Sequence, residues 1–194
     1  HHDAFQEVVV KDPALSGPLR VLSAGCANGE EAYTLAILLD AAARDASVVG
    51  IDVHRAAIAR ARDGEFRRWA LRNAMATSYR RYFEPNKQGF TVSAAVRKNV
   101  SFQQRNLVED DTDFWRRGAF HVVFCRNTLM YFDPQWAREV IAKFAHAIVP
   151  HGYLFLGHAE ASYGASDAFE QCQTHDTIYY RRTGQPGTAP SSTS

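Results

Sequence analysis

The sequence has little cysteine: three residues in 194, at Cys26, Cys125 and Cys172. The number is odd and no CxxC spacing occurs, so the chain shows neither a disulfide framework nor the usual spacing of a zinc site. Unpaired cysteines are typical of a reducing compartment. We therefore expect a cytoplasmic protein that binds no metal.

The sequence also lacks a long apolar run and an excess of charge of one sign. No segment approaches the ~20 apolar residues that a membrane helix needs, and no signal peptide is visible. Lysine and arginine total 22 and acidic residues total 21, which gives a net charge of +1. This balance gives no support to membrane insertion or to a nucleic acid partner.

Positive charge is nevertheless concentrated in one stretch, which we call the arginine-rich region (55–81). Exposed arginines at helical spacing are typical of a solvated helix face. The alternative is a docking surface for an acidic partner, and the sequence leaves both open. The arginines are Arg55, Arg60, Arg62, Arg67, Arg68, Arg72, Arg80 and Arg81.

Short apolar runs alternate with segments of helical periodicity along most of the chain. This pattern predicts an α/β fold with a doubly wound, mostly parallel sheet covered on both faces. Two further runs, at 169–172 and 177–181, predict an antiparallel hairpin at one edge. The predicted strands are 19–23, 47–51, 120–125 and 152–157, and the predicted helices are 30–43, 55–62 and about 134–148.

The middle of the chain predicts a small insertion. Residues 66–83 read as helical, 84–89 as a turn, and 90–92 and 100–103 as two strands of a small antiparallel β appendage, at about 82–102. Residues 1–183 would then form one domain. Residues 184–194 are rich in Gly, Pro, Ser and Thr, so we expect a flexible tail with a further module after it.

The stretch VLSAGCANGEE (21–31) predicts a strand, a glycine turn and a helix. Gly25 and Gly29 allow the backbone to turn tightly and to approach a ligand closely. The stretch is neither GxGxxG nor a phosphate loop, and Glu30 and Glu31 stand where a phosphate would be repelled. It favours a cationic ligand; the alternative is a plain connection with capping acids.

Polar residues also follow the next two strands. Asp52 is suited to accept hydrogen bonds from two ribose hydroxyls, or else it is the N-cap of the next helix. Asn106, followed by Leu107, offers a donor and an acceptor to an adenine edge, although an asparagine here is also typical of a turn.

The string FCRNTLMYFD (124–133) places Arg126 directly after an apolar strand. We expect this arginine at the carboxyl edge of the sheet, with Tyr131 nearby; the alternative is an arginine that caps carbonyls and an aromatic ring that packs. Asp133 and Pro134 are typical of a helix N-cap followed by the first helical residue.

Taken together, these segments resemble the CheR family of S-adenosylmethionine (SAM)-dependent methyltransferases, which modify glutamates of chemotaxis receptors. The resemblance covers about residues 5–181, and FCRNTLMYFD with GYLFLGHAE, in that order and spacing, is its most specific part. The other matching strings are SAGCANGEEAYTLAILL (23–39), GIDVHRAAIARARDGEF (50–66), RYF (81–83) and VSFQQRNL (100–107).

The resemblance implies a Rossmann-like fold and a site for SAM. Asp52 would hold the ribose, Asn106 and Leu107 would lie by the adenine, and Glu31 would contact the methionine portion. Ala24 and Gly25 would line the cofactor through their backbone, while Arg126 and Asn127 would face its methionyl end. The implied catalytic residues are Arg126, which orients the acceptor, and Tyr131, which stands near the transferable methyl.

The implied activity is methyl transfer from SAM to glutamate carboxylates on the glutamate-rich cytoplasmic helices of chemoreceptors. The alternatives are a non-catalytic domain that binds SAM or its product S-adenosylhomocysteine (SAH), and a methyltransferase with a different acceptor. The family's helical N-terminal domain and TxFFR segment have no counterpart in this sequence, which starts at His1, and we expect a truncated chain. The short turn 84–89 predicts a member that does not depend on a receptor's C-terminal pentapeptide.

Overall fold

The computed structural model describes residues 1–67, 79–160, 167–174 and 177–184. Within these ranges the α-helices are α1 His2–Phe5 (continued by a π turn, Gln6–Val10), α2 Glu30–Ala41, α3 Arg55–Asp63, α4 Ala94–Arg97 and α5 Pro134–Ala147. Ten strands are β1 Leu19–Ala24, β2 Ala46–Asp52, β3 Glu65–Arg67, β4 Phe83–Pro85, β5 Gly89–Val92, β6 Val100–Gln104, β7 Phe120–Cys125, β8 Ile148–Leu156, β9 Phe169–Thr174 and β10 Thr177–Arg182.

Seven strands form the main sheet in the order β6-β2-β1-β7-β8-β10-β9. The first five are parallel to one another. Strand β10 is antiparallel to both of its neighbours, β8 and β9. The predicted α/β fold, with its mostly parallel sheet and its antiparallel edge hairpin, is confirmed.

The sheet is buried on both faces because its central strands are apolar at nearly every position. Neighbouring residues of one strand belong to different core clusters: Val21 packs on one side of β1 and Leu22 on the other. Val122 and Val123 of β7 divide in the same way. Continuous apolar runs of this kind are what a parallel sheet with helices on both faces requires.

A separate three-stranded antiparallel sheet, in the order β3-β5-β4, lies in the predicted insertion. The helical prediction for 66–83 was wrong at both ends, because Phe66 pairs with Phe90 and Phe83 pairs with Val92 in this sheet. The pairing of these residues with β5 therefore outweighs the helical periodicity of the local sequence. Residues 68–78 of that segment lie outside the described residues.

The strand predicted at 100–103 is present but does not belong to the appendage. As β6 it pairs in parallel with β2 at the edge of the main sheet. The reason is steric: Phe102 lies opposite Gly50, and a Cβ at Gly50 would come within 2.6 Å of the Phe102 ring. The missing side chain therefore makes room for the aromatic ring.

The strand order reverses direction at β1, because β2 and β7 lie on opposite sides of it. In open α/β sheets the ligand lies beyond the carboxyl ends of the strands at such a switch point. Hydrogen bonds fix the turn after β1 at this point, since the amides of Gly25 and Cys26 both donate to the Ile51 carbonyl, each with an N···O distance of 2.9 Å.

Candidate functional site

The turn after β1 has a shape that only glycine fits well. Gly25 has φ +73° and Gly29, the N-cap of α2, has φ +89°. A Cβ on Gly25 would overlap the Thr128 side chain, and one on Gly29 would lie 2.9 Å from the Phe102 ring. The loop that follows β7 therefore packs directly against this turn.

Asp52 ends β2 and binds two backbone amides. Its Oδ2 accepts a hydrogen bond from Ala27 N and its Oδ1 accepts one from His54 N, each with an N···O distance of 2.9 Å. The N-cap position of α3 is His54, so Asp52 does not cap that helix. A carboxylate has about four lone-pair directions, so the one side chain can still accept from ribose hydroxyls.

A cavity of about 410 Å³ opens at the carboxyl ends of β1, β2, β6 and β7. Its volume lies in the range of small-molecule sites. Six of the nine residues predicted for the site line it: Gly25, Asp52, Asn106, Leu107, Asn127 and Tyr131. Seven further residues that were not predicted also line it: Ala27, Ile51, Val53, His54, Arg105, Thr128 and Phe132.

The other three predicted residues, Ala24, Glu31 and Arg126, do not line this cavity. Ala24 is buried at the end of β1. Glu31 Oε1 accepts from Ser23 Oγ over 2.9 Å, and its Oε2 lies 3.4 Å from Arg126 Nη1. Burial raises the pKa of Glu31, while the Ser23 hydrogen bond and Arg126 oppose that rise.

Arg126 has an unused donor. Its Nε is buried and has no hydrogen-bond partner among the described residues. A buried donor without a partner is costly and calls for an explanation. A ligand carboxylate beside Arg126, with a ligand amino group beside Glu31, would satisfy both side chains, and the cavity at the same edge of the sheet offers acceptors suited to a nucleoside. The residues present therefore fit a nucleoside that carries an amino acid.

Tyr131 stands at the rim of the cavity. It ends a 3-10 turn, Leu129–Tyr131, and 81% of it is exposed, although its ring is large. The next helix, α5, begins as predicted, because the Asp133 side chain accepts from Gln135 N and Pro134 is the first helical residue.

Sequence reasoning missed Glu160, which is fully buried and accepts four backbone hydrogen bonds. The available signal was its place at the end of the GYLFLGHAE string. His158 is exposed and does not line the cavity. Within the described ranges, no cluster of three or more His, Cys, Asp or Glu suits a metal ion, and no helix is long and apolar enough to cross a membrane.

Three comparisons with known proteins bear on this site. The model of the SAM-binding domain of CheR methyltransferase matches residues 1–178. The chain is 31% identical over 173 residues to the chemotaxis protein methyltransferase Cher2 of Pseudomonas putida, which covers 84% of the chain and 62% of that relative. It is 36% identical over 148 residues to the probable biofilm formation methyltransferase WspC of the same organism, covering 75% of the chain and 35% of the relative.

Solved structures agree on the fold. An O-methyltransferase family protein from Burkholderia thailandensis superposes with a TM-score of 0.57 at 17% identity, covering 95% of this chain and 56% of that one. The family match spans most of the chain, and the site fits an adenosine joined to an amino acid. The chain therefore belongs to the CheR methyltransferase family, and its cofactor is S-adenosylmethionine.

Proposed function

We propose that the protein containing this chain transfers the methyl group of SAM to glutamate side chains on the cytoplasmic helices of chemoreceptors. The observation that carries the proposal is the exposed Tyr131 at the rim of a cavity that Asp52 also lines. Relatives about 30% identical to the chain are chemotaxis protein methyltransferases. The chain spans 62% of their length, so the activity is proposed for the whole protein.

In this proposal the adenosine half of the cofactor occupies the cavity. The Asp52 carboxylate accepts hydrogen bonds from the ribose hydroxyls, and only 11% of that side chain is exposed. Asn106 and Leu107 lie beside the adenine, where Asn106 supplies a polar edge and the buried Leu107 an apolar surface.

The amino acid half lies towards β1 and β7. Glu31 accepts from the amino group of the cofactor, and Arg126, through its buried Nε, donates to the carboxylate. Ala24 and Gly25 line this half through their backbone, and Asn127 closes it from the loop after β7. Glu31 and Arg126 carry opposite charges and lie beside each other, so together they are complementary to a zwitterionic ligand.

The bound cofactor supplies a methyl group activated by a sulfonium. A glutamate acceptor is ionised at pH 7, since the free side chain has a pKa of about 4.3, so no general base is needed. A carboxylate oxygen of the acceptor would bond to the methyl carbon as the carbon–sulfur bond breaks, and the electron pair of that bond would stay on sulfur. Catalysis then consists mostly of holding three atoms in line.

Arg126 and Tyr131 are the proposed catalytic residues. Arg126 orients the acceptor carboxylate with the N–H groups that Glu31 and the cofactor carboxylate leave free, and a looser hold preserves the nucleophilicity of that oxygen better than a tight bidentate contact. Tyr131 packs and hydrogen-bonds near the methyl. Because most of the Tyr131 side chain faces solvent, an acceptor helix can reach it without any rearrangement of the core.

The arginine-rich region supports an acidic partner only in part. Arg60 donates to Asn28 Oδ1 over 2.8 Å and Arg62 to the Phe102 carbonyl over 2.8 Å, so these two have local structural roles. Arg81 donates to the Tyr82 hydroxyl at 2.6 Å, whereas Arg55, Arg67 and Arg80 are exposed and remain the candidates for docking. Arg68 and Arg72 lie outside the described residues.

The test is transfer of tritiated methyl groups from SAM to receptor membranes by the full-length protein. We expect label that is released as methanol in base, as a carboxyl ester requires, and that falls at least about tenfold with Asp52→Asn. Base-stable label would refute a glutamate acceptor. Binding of SAH without transfer to any receptor would refute the enzyme and favour the non-catalytic alternative.

A further inference from the structure

We propose that Glu160 is a positioning residue for the methyl-transfer site: its buried carboxylate holds the loop 126–131 in the shape that binds the amino acid half of the cofactor. The inference rests on the proposed placement of the cofactor. It gives a role to a charged side chain that does not line the cavity.

The contacts of Glu160 are unusually complete. Oε1 accepts from the amides of Thr128 and Leu129, each with an N···O distance of 2.6 Å. Oε2 accepts from the amides of Gly157 over 2.7 Å and Asn127 over 2.9 Å. The side chain is 0% exposed. Four amide donors compensate the charge, as an isolated buried carboxylate would otherwise be very costly.

Three consecutive amides, from residues 127 to 129, converge on this one carboxylate. Consecutive amides converge in this way only where the backbone departs from a regular strand or helix, and such a concave group of donors suits an anion. Asn127 has φ +56°, a left-handed conformation that a non-glycine residue adopts at a cost. The bonds to Glu160 offset that cost, so the shape of the loop depends on them.

Gly157 and Gly25 lack side chains where the Glu160 carboxylate and the loop 126–131 pack against them. A Cβ on Gly157 would overlap Glu160 Oε2 and lie 3.0 Å from Asn127 N. On the opposite side of the loop, Thr128 packs against Gly25 in the turn after β1. Glu160 therefore joins the loops that follow β8 and β7, and the Thr128 side chain connects the second of these to the turn after β1.

The anchored triplet lies between the proposed functional residues of its own loop. Arg126 precedes it, Asn127 is part of it and Tyr131 follows it by two residues. Asn127, Thr128 and Tyr131 also line the cavity, but the two residues proposed to hold the ribose and the adenine edge, Asp52 and Asn106, lie on other loops and make none of these bonds. Loss of the Glu160 carboxylate should therefore weaken the methionine end of the site more than the adenosine end.

The first experiment is amide hydrogen exchange on Glu160→Gln, with Glu139→Gln as the control because Glu139 is an exposed glutamate on α5. The glutamine amide places a donor against two of the four N–H groups. We expect at least about tenfold faster exchange at Asn127, Thr128, Leu129 and Gly157, with unchanged exchange in β1. Unchanged exchange at these four amides would overturn the inference, whatever the protein methylates.

The second experiment is calorimetric titration with SAH and with 5′-methylthioadenosine, which lacks the amino and carboxylate groups. In Glu160→Gln we expect SAH to bind at least about tenfold more weakly and methylthioadenosine less than about threefold more weakly. A purely structural role would reduce both equally, and that result would overturn the inference. Failure of the wild-type protein to bind SAH would instead refute the placement of the cofactor.

If Glu160→Gln does not fold, Gly157→Ala is the second variant. Gly157→Ala keeps the charge and displaces Oε2 through the new methyl group. The same selective loss of SAH binding is expected from it, and equal loss of both ligands would again contradict the positioning role.

Discussion

Glu31→Gln should change cofactor affinity and stability in opposite directions. In the proposed site Glu31 accepts from the amino group of SAM, and a hydrogen bond between charged groups contributes about 1.5–3 kcal/mol. Its loss predicts SAH binding that is weaker by about 10- to 150-fold. Adenosine-type ligands that lack the amino group should bind almost as well as before.

Stability should respond with the opposite sign at neutral pH. Burial raises the pKa of Glu31, so the folded state binds its proton more tightly than the unfolded state does. The penalty of the ionised carboxylate is absent below the unfolded pKa and appears as pH rises through the folded pKa. Glu31→Gln removes this penalty together with a partly exposed ion pair to Arg126, whose contribution is small.

The assay combines SAH titration with thermal unfolding between about pH 4 and pH 8. The Tm of wild type should fall relative to that of Glu31→Gln as pH rises through this range. Glu30→Gln is the matched control, because Glu30 is the exposed neighbour in the same first turn of α2. Unchanged SAH affinity in Glu31→Gln would refute the proposed contact, and a Tm difference that grows in the opposite direction would refute the sign of the pKa shift.

Three further predictions concern the rest of the chain. Asp133→Ala removes the side-chain acceptor for Gln135 N at the start of α5 and should cost about 1 kcal/mol in denaturant unfolding, while Asp133→Asn should cost less. Arg67→Glu should raise KM for receptor membranes and leave SAH affinity unchanged, since Arg67 is exposed and lies outside the cavity; an unchanged KM would remove the docking argument. Titration with tethering pentapeptides should show no binding at micromolar concentration, because a tight turn at Asn86 joins β4 directly to β5; micromolar binding would contradict this.

The sequence predicted the main sheet well because the signals there are local and redundant. Each central strand is a continuous apolar run, and Asp133 with Pro134 marks the start of α5 through chemistry confined to three residues. The prediction that β6 belongs to the appendage was wrong, because the short apolar run of this strand does not indicate which strand it pairs with. That partner is fixed by the fit of Phe102 over Gly50, which lie far apart in the sequence.

The site shows the same division. The place of Asp52, the last residue of β2, and of Asn127, two positions after β7, at the cavity was predictable because parallel strands bring their carboxyl ends to one edge. The contacts of Glu160 were not, since three of its four donors lie more than 30 positions earlier in the chain. Glu31 likewise contacts Ser23 and Arg126 only because the fold brings these residues together. The spacing of residues in the sequence does not predict such contacts.

The position of β10 between β8 and β9 has a consequence for synthesis of the chain. Until residues 177–182 have been made, Tyr153 and Leu154 of β8 lack the partners that they have in the finished sheet, Arg181 and Tyr180. An unpaired apolar strand is a template for association with other chains. The nascent protein is therefore most prone to aggregate after β8 and before β10 has been made, and a fragment that stops before β10 should be insoluble even though it contains every proposed cofactor contact.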